Sequence, residues 1–199
     1  MSVAVLTVDQ RSSRSGPDLV PGTLAALGDV ALLRGFERTA GDEFQGLVDD
    51  AGTLVRVVEH LLREDAWNIG VGIGEVEEPL PDHARAGRGP AYLHARSAVT
   101  AAKTSPWHLR VVGDPPTARS LETTLWLWAV VLGRRTARGW EVADLVEQGL
   151  SYEQCAKRLG ISQSAVSQRA QAAGLVEGRR ARELATELAT GLLSEGSAT

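Results

Sequence analysis

At 199 residues the chain is long enough for one ordinary domain and a smaller second one, and 43% hydrophobic with 23% charged residues excludes a disordered chain. Its single cysteine, Cys155, excludes an internal disulfide and fits a reducing cytoplasm. No stretch reaches the roughly 20 apolar residues of a membrane helix, and the apolar start, ended by Asp9, is too short for a secretory leader. The predicted elements begin with a strand over residues 3–8, rich in β-branched residues. A polar loop over 12–21 and a short helical pattern over 22–33 follow. Residues 34–39 and 44–48 read as a hairpin with Ala40-Gly41-Asp42-Glu43 at its tip. Residues 52–63 form an amphipathic helix, 67–76 a strand, 92–103 a helix and 107–112 a last strand. This order predicts an α/β sandwich with helices on one face of a mainly antiparallel sheet. From there the chain is all helical: 119–133, apolar nearly all round, then 137–148, 152–159, 163–173 and 180–193. The expected division is 1–116, a connecting helix 117–136, a DNA-binding module 137–178, and a final helix and tail 179–199.

The net charge of −4 is unevenly spread. Residues 1–133 carry 12 basic and 17 acidic side chains, a balance of −5, whereas residues 134–183 carry 9 basic and 6 acidic, a balance of +3. The basic excess coincides with the pattern of a helix-turn-helix. Ala156 is small where two helices would cross, Gly160 suits a left-handed helix end, and Ser162 suits an N-cap. Leu159, Ile161 and Val166 would fill the small core between the helices. Ser162, Gln163, Ser164, Ser167 and Gln168 then fall at or near the start of a recognition helix, where side chains reach base edges in the major groove. Lys157, Arg158 and Arg169 are placed for phosphates. The alternative is a helical hairpin used only for packing; it explains the apolar positions but not an outward Gln/Ser face without an acid.

In the N-terminal half, Asp9 ends the first strand and Asp42 sits at the hairpin tip. The two carboxylates are expected side by side at one sheet end, with Glu43 beside them, as candidate ligands for Mg²⁺. Gly41 would let a ligand approach the backbone, and Arg88, in Gly87-Arg88-Gly89-Pro90 before a helix, would add charge at an anion-friendly helix start. Gly70, Gly72 and Gly74 are expected to pack against a helix, and His94 to be a satisfied structural histidine.

The Asp9 strand, the hairpin Ala40-Gly41-Asp42-Glu43-Phe44-Gln45-Gly46, the strand Gly70-Val71-Gly72-Ile73-Gly74-Glu75 and Gly87-Arg88-Gly89-Pro90-Ala91-Tyr92 together resemble the SatD family over nearly the whole chain. The hairpin also resembles the diguanylate cyclase signature, and the layout the palm domain of class III nucleotide cyclases. The resemblance implies an α+β protein: a ferredoxin-like, nucleotide-cyclase-like palm sandwich followed by an all-α helix-turn-helix domain. It departs from the cyclases at Ala40, where they carry glycine, and at Leu93 and Ser97, where they carry the Asn and Arg that stabilise charge in phosphoryl transfer. The expected function is therefore a transcriptional regulator that binds double-stranded DNA as a homodimer. Its degenerate palm would sense a purine nucleotide with Mg²⁺, or serve dimerisation. The 119–133 helix and the Leu184/Leu188/Leu192 stripe are the candidate dimer seams. The alternative is a nucleotide cyclase or dinucleotide synthase with a DNA-binding appendage.

Overall fold

The structure, a computed structural model, describes residues 2–114 and 116–194. Among these, the protein is α+β, with a five-stranded mixed sheet and eight α-helices. In chain order they are β1 (Ser2–Gln10), α1 (Val20–Ala26), β2 (Arg34–Ala40), β3 (Glu43–Val48), α2 (Ala51–Glu64) and β4 (Trp67–Glu75). Then come α3 (Pro90–Ala102), β5 (Leu109–Val112), α4 (Thr117–Gly133), α5 (Ala137–Glu147), α6 (Tyr152–Leu159), α7 (Gln163–Ala172) and α8 (Leu175–Ser194). No described helix is long and apolar enough to cross a membrane. The chain divides into two compact units: residues 1–126 with 184–199, and residues 127–183. The divisions fall inside α4 and α8, so each of these helices contributes to both units.

In the first unit the sheet order is β2-β3-β1-β4-β5. β1 runs antiparallel to β3 and β4, β2 antiparallel to β3, and β4 parallel to β5. Side chains alternate between faces along a strand, yet Val3, Ala4, Val5, Leu6, Thr7 and Val8 are all fully buried. The sheet is therefore covered on both faces, which corrects the expectation of helices on one face only. One face carries α3 at unusually short range. A Cβ on Gly70 would lie 2.7 Å from the Val99 Cα, and one on Gly72 equally close to the Ala95 Cα. The absence of side chains at Gly70 and Gly72 of β4 and the small Ala91 and Ala95 let helix and sheet backbones meet, and Val3, Val5 and Leu47 close that core. The other face holds an edge-to-face aromatic series: Phe36 on Phe44 at 5.5 Å and Phe44 on Trp67 at 5.2 Å. Gly46 leaves room for the Phe36 ring.

Three boundaries differ from the sequence expectation. The first helix is Val20–Ala26, not 22–33, because Pro21 is accommodated in its first turn and the helix has ended before Gly28. The last strand starts at Leu109, because Trp107 and His108 adopt left-handed backbone (φ 56° and 50°) in a turn begun by Pro106. The final helix starts at Leu175, running through Gly178 rather than beginning at 180.

α4 is buried along Leu121, Leu125, Trp128 and Leu132, and α8 along Ala185, Ala189, Leu192 and Leu193. These stripes are spent inside the protomer. The expected dimer seams are corrected accordingly: Leu192 is buried and Leu188 half-buried, and the exposed apolar positions on these helices are Leu127, Val176 and Leu184.

In the second unit, α5, α6 and α7 close on Val142, Cys155, Ala156, Val166 and Ala170, with Leu145, Leu159 and Ile161 around them. Cys155 is a buried core residue. Each helix has a side-chain N-cap: Thr136 accepts from the Gly139 amide, Ser151 forms a reciprocal capping box with Gln154, and Ser162 accepts from the Ala165 amide. Gly160 ends α6 at φ 64°, and the Ile161 amide donates back to the Ala156 carbonyl. The chain thus turns from α6 to α7 in Gly160-Ile161-Ser162.

Candidate functional site

At the end of β1 the residues expected to hold a metal, Asp9, Asp42 and Glu43, lie close together. Asp9 of β1 is opposite Glu43 of β3 and opposite Asn68 of β4, so the three share one sheet face. Asp42 occupies the β2–β3 turn, where its carbonyl accepts from the Gln10 amide at 3.0 Å. Gly41 beside it has φ 57°.

Both strand carboxylates are already matched. Asp9 Oδ1 accepts from Asn68 Nδ2 at 3.0 Å and pairs with Lys103 Nζ at 3.2 Å. Glu43 accepts from Thr39 Oγ1 and from Arg96 Nη1, each at 2.7 Å. Lys103 and Arg96 belong to α3 and its C-cap, two helical turns apart on one face. That face was visible in the sequence as an i, i+7 spacing of cations; what the sequence hid was that α3 lies over the two carboxylates.

As arranged, this donor set does not fit a divalent cation. Of the three candidate carboxylates only Asp42 is without a partner among the described residues, and a metal held by Asp42 together with Asp9 or Glu43 would have to compete with Lys103 or Arg96. Among the described residues no three His, Cys, Asp or Glu side chains gather into a group that could hold one.

Arg88 is elsewhere. The turn Gly87-Arg88-Gly89 meets Val76 and Glu77, with the Glu77 amide donating to the Arg88 carbonyl. That is the Ser2–Glu75 end of the sheet, opposite the Asp9–Asn68 end. β1 has nine residues, so the two ends stand roughly 25 Å apart at about 3.3 Å per residue. The N-terminus of α3 therefore faces away from Asp9, and it is the C-terminal end of α3 that reaches the carboxylates. His94 is satisfied by the Ile73 carbonyl at 2.7 Å.

Asp9, Gly41 and Asp42 line an open cleft of about 1040 Å³. Its wall also includes residues the sequence reading missed: Arg11 and Arg14 from the loop after β1, Arg38 of β2, Asn68, Lys103, and His108 before β5. Arg38 donates to the Gly41 carbonyl and pairs with Asp18 at 2.7 Å, and Arg11 pairs with Asp65 at 3.0 Å.

On the second unit, α7 exposes Gln163, Ser164, Ser167, Gln168 and Gln171 and turns Val166 and Ala170 inward. This follows from the 3.6-residue period with apolar residues at i and i+4. Ser162 spends its hydroxyl on the α7 N-cap and lies 3.0 Å from the Ser164 hydroxyl. The cations divide. Arg158 is exposed with no ion pair among the described residues, Lys157 pairs with Glu153 on its own helix at 2.9 Å, and Arg169 turns toward Glu141 of α5 at 3.6 Å. Lys157 and Arg158 are thus at the surface, while Arg169 is mostly occupied within the unit.

No family model matches the chain, and neither a curated protein nor a solved structure is similar to it.

Proposed function

We propose that the protein is a DNA-binding regulator in which α6 and α7 act as a helix-turn-helix with α7 as the recognition helix. One observation carries this reading: the outward face of α7 is built from Gln and Ser without an acidic residue, on a helix whose start is fixed by the Gly160-Ile161-Ser162 turn. Gln offers a paired donor and acceptor for adenine, and Ser serves several bases. The +3 balance of residues 134–183 supports modest, salt-sensitive attraction to phosphate, with Lys157 and Arg158 as its contacts. On this reading the first unit is a palm of the SatD type that senses a purine nucleotide or joins two copies. A homodimer would present two recognition helices to half-sites about one turn of DNA apart. The cyclase alternative needs Asp9 and Asp42, with Glu43 as a further ligand, to hold metal; Asp9 and Glu43 are paired with Lys103 and Arg96, and Asp42 alone is unpaired among the described residues.

The test is selection from a random DNA library with the purified protein and with Gln163→Ala/Gln168→Ala. A defined site bound by the wild type and lost in the double variant is expected. Weak binding without sequence preference in both proteins would overturn the reading.

A further inference from the structure

We propose that the cleft at the Asp9 end of the sheet binds a nucleoside phosphate without a metal ion, through Arg14 and His108 on its phosphates and Asp42 on hydroxyl or amino groups of the same ligand. This deepens the sensor part of the reading above and is independent of DNA binding.

The first argument is what remains after the internal pairs are subtracted. Asp9 is matched by Lys103 and Asn68, Asp18 by Arg38, and Arg11 by Asp65. Three ionisable groups on the cleft wall are left. The Arg14 guanidinium is exposed and forms no ion pair among the described residues. The Asp42 carboxylate accepts no hydrogen bond among them. The His108 imidazole lines the cleft, half-buried, and makes no hydrogen bond or ion pair among the described residues. A guanidinium and an imidazole suit a phosphate, and a carboxylate accepts from a hydroxyl or amine. Together they describe one molecule with an anionic end and a donor end.

The second argument is backbone strain. Four described residues other than glycine have positive φ: Ser12, Asp65, Trp107 and His108. Asp65 is the left-handed C-cap of α2; the other three lie in loops at this one end of the sheet, and Ser12 and His108 line the cleft itself. Such conformations are strained for residues other than glycine and gather where a site fixes the chain. The volume of about 1040 Å³ is ample for a mononucleotide, since small-molecule sites run from about 300 to 1,000 Å³.

The metal-free character follows from the pairing already described. Lys103 and Arg96 hold the two strand carboxylates, which leaves Asp42 as a single unpaired carboxylate, too few ligands for a divalent cation, so the cleft's positive charge is supplied by side chains.

The test is thermal melting of the full chain in EDTA at low ionic strength, with GTP, ATP or inorganic tripolyphosphate. At saturation at least one nucleotide should raise Tm by about 5 °C or more, and tripolyphosphate should raise it less, having no donor end for Asp42. Arg14→Gln should weaken nucleotide binding about tenfold or more. His108→Asn should weaken it too; asparagine tolerates positive φ, so this variant removes the imidazole and keeps the turn. Arg88→Gln, at the far end of the sheet, should leave the shift intact. A shift that appears only with Mg²⁺, one that survives Arg14→Gln/His108→Asn, or no shift from any probe would each overturn the proposal. None of these outcomes depends on the DNA selection, so the two readings stand or fall separately.

Discussion

Asp9 and Glu43 stand opposite each other across β1 and β3, and each is met by a cation from the same helical face: Lys103 on Asp9 at 3.2 Å, Arg96 on Glu43 at 2.7 Å. The pairing makes α3 a cover for the sheet-end carboxylates. Removing both cations in Lys103→Met/Arg96→Met should leave two adjacent carboxylates that bind Mn²⁺ several-fold more tightly than the wild type, read from the loss of the free-ion resonance in an electron paramagnetic titration. The folding cost should be within about 1 kcal/mol per pair, because both cations are largely exposed. Equal Mn²⁺ affinity in the two proteins would refute the blocking role.

The glycines of β4 set how closely α3 approaches. Gly72→Ala places a methyl into the backbone of Ala91 and Ala95, where neither side can give without moving the helix. A loss of about 3 kcal/mol or more is expected in urea unfolding. Gly22→Ala in α1 is the contrast, because a Cβ there meets nothing within 4 Å. That change should raise stability by about 0.4–1 kcal/mol.

The α6–α7 turn depends on a backbone shape, not on space. Gly160 has φ 64° with no atom within 4 Å of an added Cβ, so Gly160→Ala should cost only the left-handed penalty of about 1–2 kcal/mol. Ser162→Ala removes the α7 cap and should cost about 1 kcal/mol. Urea unfolding of each variant checks these values; a loss near zero for Ser162→Ala would mean that the cap does not hold α7.

Glu64 gives the fold an acid-sensitive point. Burial pushes its carboxyl up, but the His60 imidazole 3.4 Å away and hydrogen bonds from Trp67 and Thr23 outweigh burial and hold it below the ordinary value of 4.5. A carboxyl lowered by folding stabilises the native state above its unfolded pKa, and the gain disappears as pH falls through the folded pKa. The contribution is thus complete at neutral pH and fades below pH 4.5. Glu64→Gln should cost about 1 kcal/mol at pH 7 and flatten the loss of stability between neutral pH and the acid limb. A parallel pH profile for the variant would contradict this.

Much of this arrangement is readable from residue order alone, for reasons that differ by region. The α6–α7 segment is legible because Ser151, Gly160 and Ser162 act within one turn of themselves, and local capping leaves a local mark. The hairpin that carries Asp42 is legible for the same reason. The position of Arg88 was not read, yet chain direction dictates it: β4 runs antiparallel to β1, so a helix begun after β4 starts beside the beginning of β1. Burial of both faces of β1 was signalled by its unbroken apolar run, which an alternating strand would not show. The Lys103–Asp9 and Arg96–Glu43 pairs lie 94 and 53 positions apart in the chain, and no spacing rule connects such residues. Trp107 and His108 adopt a conformation that their side chains disfavour, so propensity points away from it.

The hydroxyl of Ser2 donates to the Leu192 carbonyl at 3.1 Å, a bond that spans 190 residues. The first unit is therefore completed by the two ends of the described chain, while the second is a continuous stretch held by contacts among neighbours in sequence. Closing a long loop is entropically slow and short-range helix packing is fast. The helices of residues 127–183 should accordingly acquire protection from hydrogen exchange while β1 is still open. In refolding, the helices of the second unit would exist before the sheet of the first, and amide protection appearing first in β1 would reverse that order.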